Sequence, residues 1–86
     1  MPEISRFFGI VIAMYYNDHA PPHFHAKYGE SEAVIAIDSG KRVDGHLPPR
    51  VLGLVQEWRE YHKVELAEDW RLARERKALK QIEPLE

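Results

Sequence analysis

An α+β fold is predicted: a small antiparallel β-meander of three to four strands packed against one long or bent amphipathic C-terminal helix. Three observations predict it. The first half of the chain carries aromatic and β-branched runs separated by turn residues, which is how strands are punctuated. After Pro48-Pro49 the only Pro or Gly residues are Gly53 and Pro84, and apolar residues recur at three and four, the period of a helix. With 86 residues, neither half can bury a core alone, so the two make one domain, 1–86. Its strand-rich part is 1–46, its helical part 47–80, and 81–86 is a C-terminal tail or edge strand.

The elements follow in order. Phe7 to Tyr16 is an aromatic and β-branched run and is expected as one strand, buried on both faces. Asn17-Asp18-His19-Ala20-Pro21-Pro22 is a loop, because Asn and Asp bond their own backbone and two prolines cannot continue a ladder. Whether Pro21 or Pro22 is cis stays open. His23 to Tyr28 alternates, with His23, His25 and Lys27 on one face and Phe24, Ala26 and Tyr28 on the other. Gly29 to Glu32 is a turn. Ala33 to Asp38 is a third strand, with Ala33, Ile35 and Ile37 sharing one face. Ser39-Gly40 signals a hairpin, and Lys41 to Asp44 a short polar strand. Pro48-Pro49 suits a helix entry. The stripe Val51, Leu54, Val55, Trp58, Tyr61, His62, Leu66, Trp70 and Ala73 then lies on the sheet, anchored by the two tryptophans. No Gly or Pro stands near Lys63-Val64, so one continuous helix with a kink is favoured there, with two helices broken at that point as the alternative. Ile82 and Leu85 pair as an edge strand or tuck against the core.

Composition removes several functions. At 44% hydrophobic and 30% charged residues the chain is globular, not disordered. With no cysteine there is no disulfide framework, no thiolate nucleophile and no Cys-type metal site. A formal charge of −2 does not suit a strongly basic nucleic-acid module. The longest apolar run, Phe7 to Tyr16, is far short of the roughly 20 residues a membrane helix needs. No basic stretch followed by an apolar run opens the chain, so a cytoplasmic protein without membrane contact is expected.

Histidine stands out, at five residues. His19, His23 and His25 fall within one short segment, and His23 and His25 share a strand face. With Asp18 they offer three nitrogens and one oxygen, a donor set suited to zinc or another borderline divalent metal. His23 and His25 also suit general acid–base work without a metal, with Lys27, Lys41 or Arg42 as the cation a phosphate would need. The third reading, preferred on the residues alone, is a recognition surface on which Phe24 and Tyr28 join the imidazoles against another protein. His62 falls on the helix stripe and is most simply a packing residue, and His46 sits in the turn before the helix. Near the C-terminus Arg71, Arg74, Arg76, Lys77 and Lys80 make a second candidate, a patch for phosphate or nucleic acid, weighed against an ordinary solvated helix end. So small a core would also gain from homo-oligomer formation.

The segment Tyr15-Tyr16-Asn17-Asp18-His19-Ala20-Pro21-Pro22-His23-Phe24-His25-Ala26-Lys27-Tyr28 resembles the signature of the bacterial domain-of-unknown-function family numbered 4160. Pro2 to Ile10 is similar to that family's start. Leu47-Pro48, Trp58, His62, Leu66, Trp70 and Ile82-Glu83-Pro84-Leu85 resemble its later positions. The resemblance implies a toxin–antitoxin-like two-gene module with a small protein partner encoded nearby, from the family numbered 2442, and it implies no catalytic residue. The function expected is therefore a small interaction or regulatory protein whose site is the His-bearing loop and strand. A His- or metal-dependent nuclease or hydrolase, and a nucleic-acid-binding module, are the alternatives.

Overall fold

The computed structural model describes residues 2–86. Its sheet is an antiparallel meander of five strands, β1 (Glu3–Phe7), β2 (Ile10–Ala13), β3 (His23–Tyr28), β4 (Ser31–Ala36) and β5 (Arg42–His46), each paired with the next. The meander was expected, but with one strand fewer. The run Phe7 to Tyr16 is not one strand: Phe8 and Gly9 both have positive φ (51° and 79°) and form a two-residue hairpin that pairs Phe7 with Ile10. Positive φ at both central positions matches the right-handed strand twist, which is why such turns close hairpins. An aromatic in the first position hid the signal. Burial on both faces holds along β2 except at Val11: Ile10 and Ile12 are buried on one face and Ala13 on the other, where Val11 is half-buried.

The second hairpin is tighter than expected. Tyr28 pairs with Ser31, so the turn is Gly29-Glu30 alone and Glu32 belongs to β4. Register then follows along the hairpin, setting Phe24 opposite Ile35 and His25 opposite Val34. A slip by one residue would turn every side chain of β4 to the wrong face. Gly45 is needed for backbone approach. Its φ is 77°, and a Cβ there would lie 2.1 Å from the Glu32 carbonyl oxygen.

Two helices follow, α1 (Pro49–Tyr61) and α2 (Lys63–Arg74). The structure thus has the alternative of two helices in place of the favoured continuous one, and the helical part ends at residue 74 and not 80. At the junction His62 leaves helical geometry (φ −128°, ψ 25°) and its N–H bonds Arg59 O at 3.1 Å. No Gly or Pro marks the break, but length gives a reason. An unbroken helix from 49 to 74 would run about 39 Å at ~1.5 Å per residue, past a molecule whose longest extent is 33 Å. The bend turns Leu66, Asp69, Leu72 and Ala73 inward and leaves Tyr61, expected in the stripe, 69% exposed. At the other end Arg76 N–H bonds Ala73 O and Lys77 N–H bonds Leu72 O, a Schellman cap that stops α2.

The core lies between one face of the sheet and the helices. Ile4, Phe7, Ile10, Ile12, Phe24, Ala26, Ala33, Ile35 and Ile37 meet Val51, Val55, Trp58 and Leu66 there. Of the two expected anchors, Trp58 is wholly buried and Trp70 is only half-buried. Arg59 is buried as well. It donates to the Ile37 carbonyl at 2.9 Å and to Gln56 Oε1 at 2.9 Å, so its charge is spent fastening the β4–β5 turn to α1.

The C-terminal tail forms no strand. It is held by single bonds: Ile82 N–H to Ile4 O at 2.8 Å, Trp58 Nε1–H to Glu83 O at 2.8 Å, and Lys80 N–H to Asp69 Oδ1 at 2.9 Å. Ile82 is buried and Leu85 packs against the core. Asp69 is almost fully buried and its Oδ2 has no partner. Burial pushes its carboxyl above the usual aspartate value, against the Lys80 N–H, which pulls it down. Between the ordinary and the raised value the folded chain keeps a proton that the unfolded chain has released, so stability falls as pH rises through that window. Asp69→Asn keeps the acceptor for Lys80 and removes the buried charge. It is expected to be more stable than the wild type in urea at neutral pH, with the difference closing below the ordinary carboxylate range. A wild type that stays the more stable form at both pH values would contradict this.

Candidate metal centre

The alternation of β3 sends Phe24 and Ala26 into the core and His23 and His25 to the opposite face. The loop before β3, in which the Ala20–Pro21 peptide is cis, brings Asp18 back over them. Asp18 Oδ2 lies 3.1 Å from His23 Nε2 and 3.0 Å from His25 Nε2. The three donor atoms lie within 4.8 Å of one another, the one such group of His or acidic residues among those described. Their side chains are largely shielded, at 12%, 14% and 23% exposure for His23, His25 and Asp18.

The other ring nitrogens decide the chemistry. His23 Nδ1 lies 2.7 Å from the Pro21 carbonyl oxygen, and His25 Nδ1 lies 2.9 Å from Glu32 Oε2. A carbonyl and a carboxylate oxygen only accept, and so does the Asp18 oxygen that faces both Nε2 atoms. A neutral imidazole has one N–H, so each neutral ring satisfies one of its two acceptors and presents a lone pair to the other. A cation meets that deficit: a second proton on each ring, or one divalent ion against the two Nε2 atoms and Asp18.

The surroundings fix the rings. Trp70 stands against His23 at 5.1 Å between centroids, and Tyr15 meets His25 edge-on at 4.5 Å. Lys27 covers the Tyr15 ring at 5.4 Å, and hydrogen bonding to the Tyr15 hydroxyl holds its ammonium above the usual lysine value. Arg74 lies on Trp70 at 4.5 Å and donates to the Asp18 carbonyl and, at 2.9 Å, to that of Tyr16. It thereby ties the Asp18 loop to α2.

The expected site residues divide accordingly. Asp18, His23 and His25 come together, and Lys27 and Arg74 support them. His19, expected as the third imidazole ligand, is exposed and is not in the group; the loop turns the Asp18 carboxylate, the expected oxygen donor, toward β3 instead. Phe24 is withdrawn from any recognition surface, being wholly buried against Trp58 at 5.8 Å. Tyr28, on the same face, is half-buried against the core. Arg71, Lys77 and Lys80 pair with Glu75 or Glu68 at 3.0 to 3.1 Å. Lys77 and Arg71 hold the Glu75 carboxyl below its usual range, so much of the basic end is neutralised on its own helix and tail. His46 is exposed on β5. His62 stacks near Trp58 at 5.4 Å and faces Glu65 at 3.1 Å across the helix junction.

Glu32, Trp70 and Tyr15 were not anticipated as site residues. Glu32 was legible in principle: once Gly29-Glu30 is taken as a two-residue turn, it falls diagonally across from His25, within reach of a long side chain.

A family model described as Domain of unknown function (DUF4160) matches residues 9–71. No curated protein and no solved structure matches the chain.

Proposed function

The chain belongs to this family of unknown function, and we propose that it is a divalent-metal-binding protein of the zinc class whose centre, Asp18, His23 and His25, serves a hydrolytic reaction. One observation carries the reading: both Nδ1 atoms face outer acceptors, and both Nε2 atoms converge on one carboxylate oxygen. Metal-bound histidines are held in this manner, their second nitrogen donating to a carbonyl or carboxylate that fixes the tautomer. The spacing agrees. Zinc bonds of about 2.0–2.1 Å at tetrahedral angles separate neighbouring donor atoms by roughly 3.3 Å, and the Nε2 to Oδ2 separations are 3.0 and 3.1 Å.

Zinc held by Asp18, His23 and His25 would keep a position for water and would supply hydrolytic chemistry by lowering that water's pKa. The protein's own part is to hold two neutral imidazoles in one tautomer and to keep Asp18 in place through Arg74. Asp18 also lines an open cleft of about 360 Å³, which gives a substrate access. This reading is preferred to the protein-recognition surface because the polar groups converge on one point while Phe24 lies in the core.

Titrating the metal-free chain with zinc chloride in a calorimeter is expected to give one equivalent per chain. Nitrogen NMR of the imidazoles is expected to show Nε2 shifting on zinc addition while Nδ1 stays protonated. Absence of saturable zinc binding, or a shift at Nδ1, would overturn the proposal.

A further inference from the structure

Arg76 occupies a position that suits glycine better. It is the residue after the C-cap in the Schellman motif of α2, with φ at 57°. An L-residue with a Cβ is disfavoured in that left-handed conformation, and glycine is the usual choice there. The chain accepts this cost and gains a guanidinium at one particular place. Arg76 lies along the cleft formed by Tyr16, Asn17, Asp18, His19 and Arg74. It donates one N–H to Asn17 Oδ1 at 3.2 Å, leaving the rest of its donors for a ligand.

From this we infer that the cleft is a subsite for a phosphoryl group, bound by Arg76 and flanked by His19. Several observations support it. The cleft adjoins the metal centre, because Asp18 belongs to both. Its side chains include two arginines and an exposed histidine against one carboxylate, and that carboxylate faces inward to His23 and His25. Arg74 is a fixed wall: it is stacked on Trp70 and bonded to two loop carbonyls. Arg76 is the adaptable member, and a guanidinium fork matches phosphate oxygens in pairs. The negative end of the α2 dipole opposes an anion at this spot. Arg74 in the last turn offsets it, and the Schellman bonds cover the carbonyls of Leu72 and Ala73. For its chemistry the subsite rests on the metal-centre reading, since it sets a phosphate ester beside the ion; for binding it does not.

The decisive variant is Arg76→Gly, because the fold predicts opposite signs for its two effects. Glycine relieves the left-handed backbone, so the melting temperature is expected to stay level or rise. Binding of inorganic phosphate, followed by amide NMR shifts at Asn17, His19 and Arg76 in the wild type, is expected to weaken at least tenfold in the variant at constant ionic strength. The titration is run with EDTA and with one equivalent of zinc. Adenosine 5′-monophosphate and a six-nucleotide single-stranded RNA, run in parallel, distinguish a small phosphate ester from a nucleic-acid backbone as the source of the group, and binding of either at these residues supports the subsite. If zinc binds but phosphate leaves these amides unmoved, or moves them equally in Arg76→Gly, the subsite is overturned while the metal centre stands. If phosphate binds through Arg76 with EDTA present and zinc never binds, the subsite stands and the metal centre fails.

Discussion

His25→Ala is expected to lower zinc affinity by at least about 100-fold. The estimate is a floor. Loss of an outer partner of a metal-bound histidine alone costs roughly 10–100-fold, and in the proposed centre His25 would supply a ligand nitrogen as well as its link to Glu32. Glu32→Gln is the graded companion. It keeps an acceptor for the Nδ1–H but removes the charge, so a smaller loss within that range is expected. Two readouts separate ligand loss from damage to the fold. His25 lies on the sheet face away from the core, so the metal-free variant should unfold near the metal-free wild type. Zinc at 100 times its dissociation constant should stabilise the wild type by about 2.7 kcal/mol and leave His25→Ala nearly unchanged. Equal stabilisation of the two proteins would remove His25 from the centre.

Trp58→Ala is expected to cost about 3–5 kcal/mol. The indole is wholly buried and joins both layers of the fold. Its ring meets Phe7 at 5.5 Å, Phe24 at 5.8 Å and His62 at 5.4 Å, and its N–H satisfies the Glu83 carbonyl. One side chain thus holds β1, β3, the helix junction and the C-terminal tail. At the usual 0.05–0.15 kcal/mol per residue, a chain this long has only about 4–13 kcal/mol in total, so this variant should lose a large share of its stability and melt at a markedly lower temperature. Trp58→Phe retains most of the volume and loses the tail bond, for a cost nearer 1 kcal/mol from that bond, with some added loss from the smaller ring. Chemical denaturation of both variants checks the order. A cost below 1 kcal/mol for Trp58→Ala would mean that the tail and sheet are held by something else.

Local chemistry made much of the fold legible. The alternation from His23 to Tyr28 foretold which side chains enter the core, and Ala33, Ile35 and Ile37 are buried as their shared face required. The stripe after Pro49 marked Val51, Val55, Trp58 and Leu66. Where expectation failed, a residue in an uncommon role was responsible. Phe8 adopts positive φ where Asn or Gly would have announced a turn, and Arg76 does the same where Gly would have announced a helix end. His62 breaks a helix with no breaker in sight: its backbone leaves helical geometry although no Gly or Pro stands there.

The sequence by itself determined an antiparallel strand meander followed by helix, the pairing of His23 and His25 on one face, and the restriction of any metal site to nitrogen and oxygen donors. Those properties depend on residue type and on a period of two or of three to four, and are present in any short stretch. Tertiary structure alone decided that Asp18 meets the two rings without His19, that Glu32 reaches His25, and that Arg74 and Arg76 reach the Asp18 loop. Each of these depends on contact between segments far apart in the chain: Arg74 and Asp18 are separated by 56 residues. Such contacts follow from strand register and helix direction, which are set by the packing of the whole core and not by any local pattern.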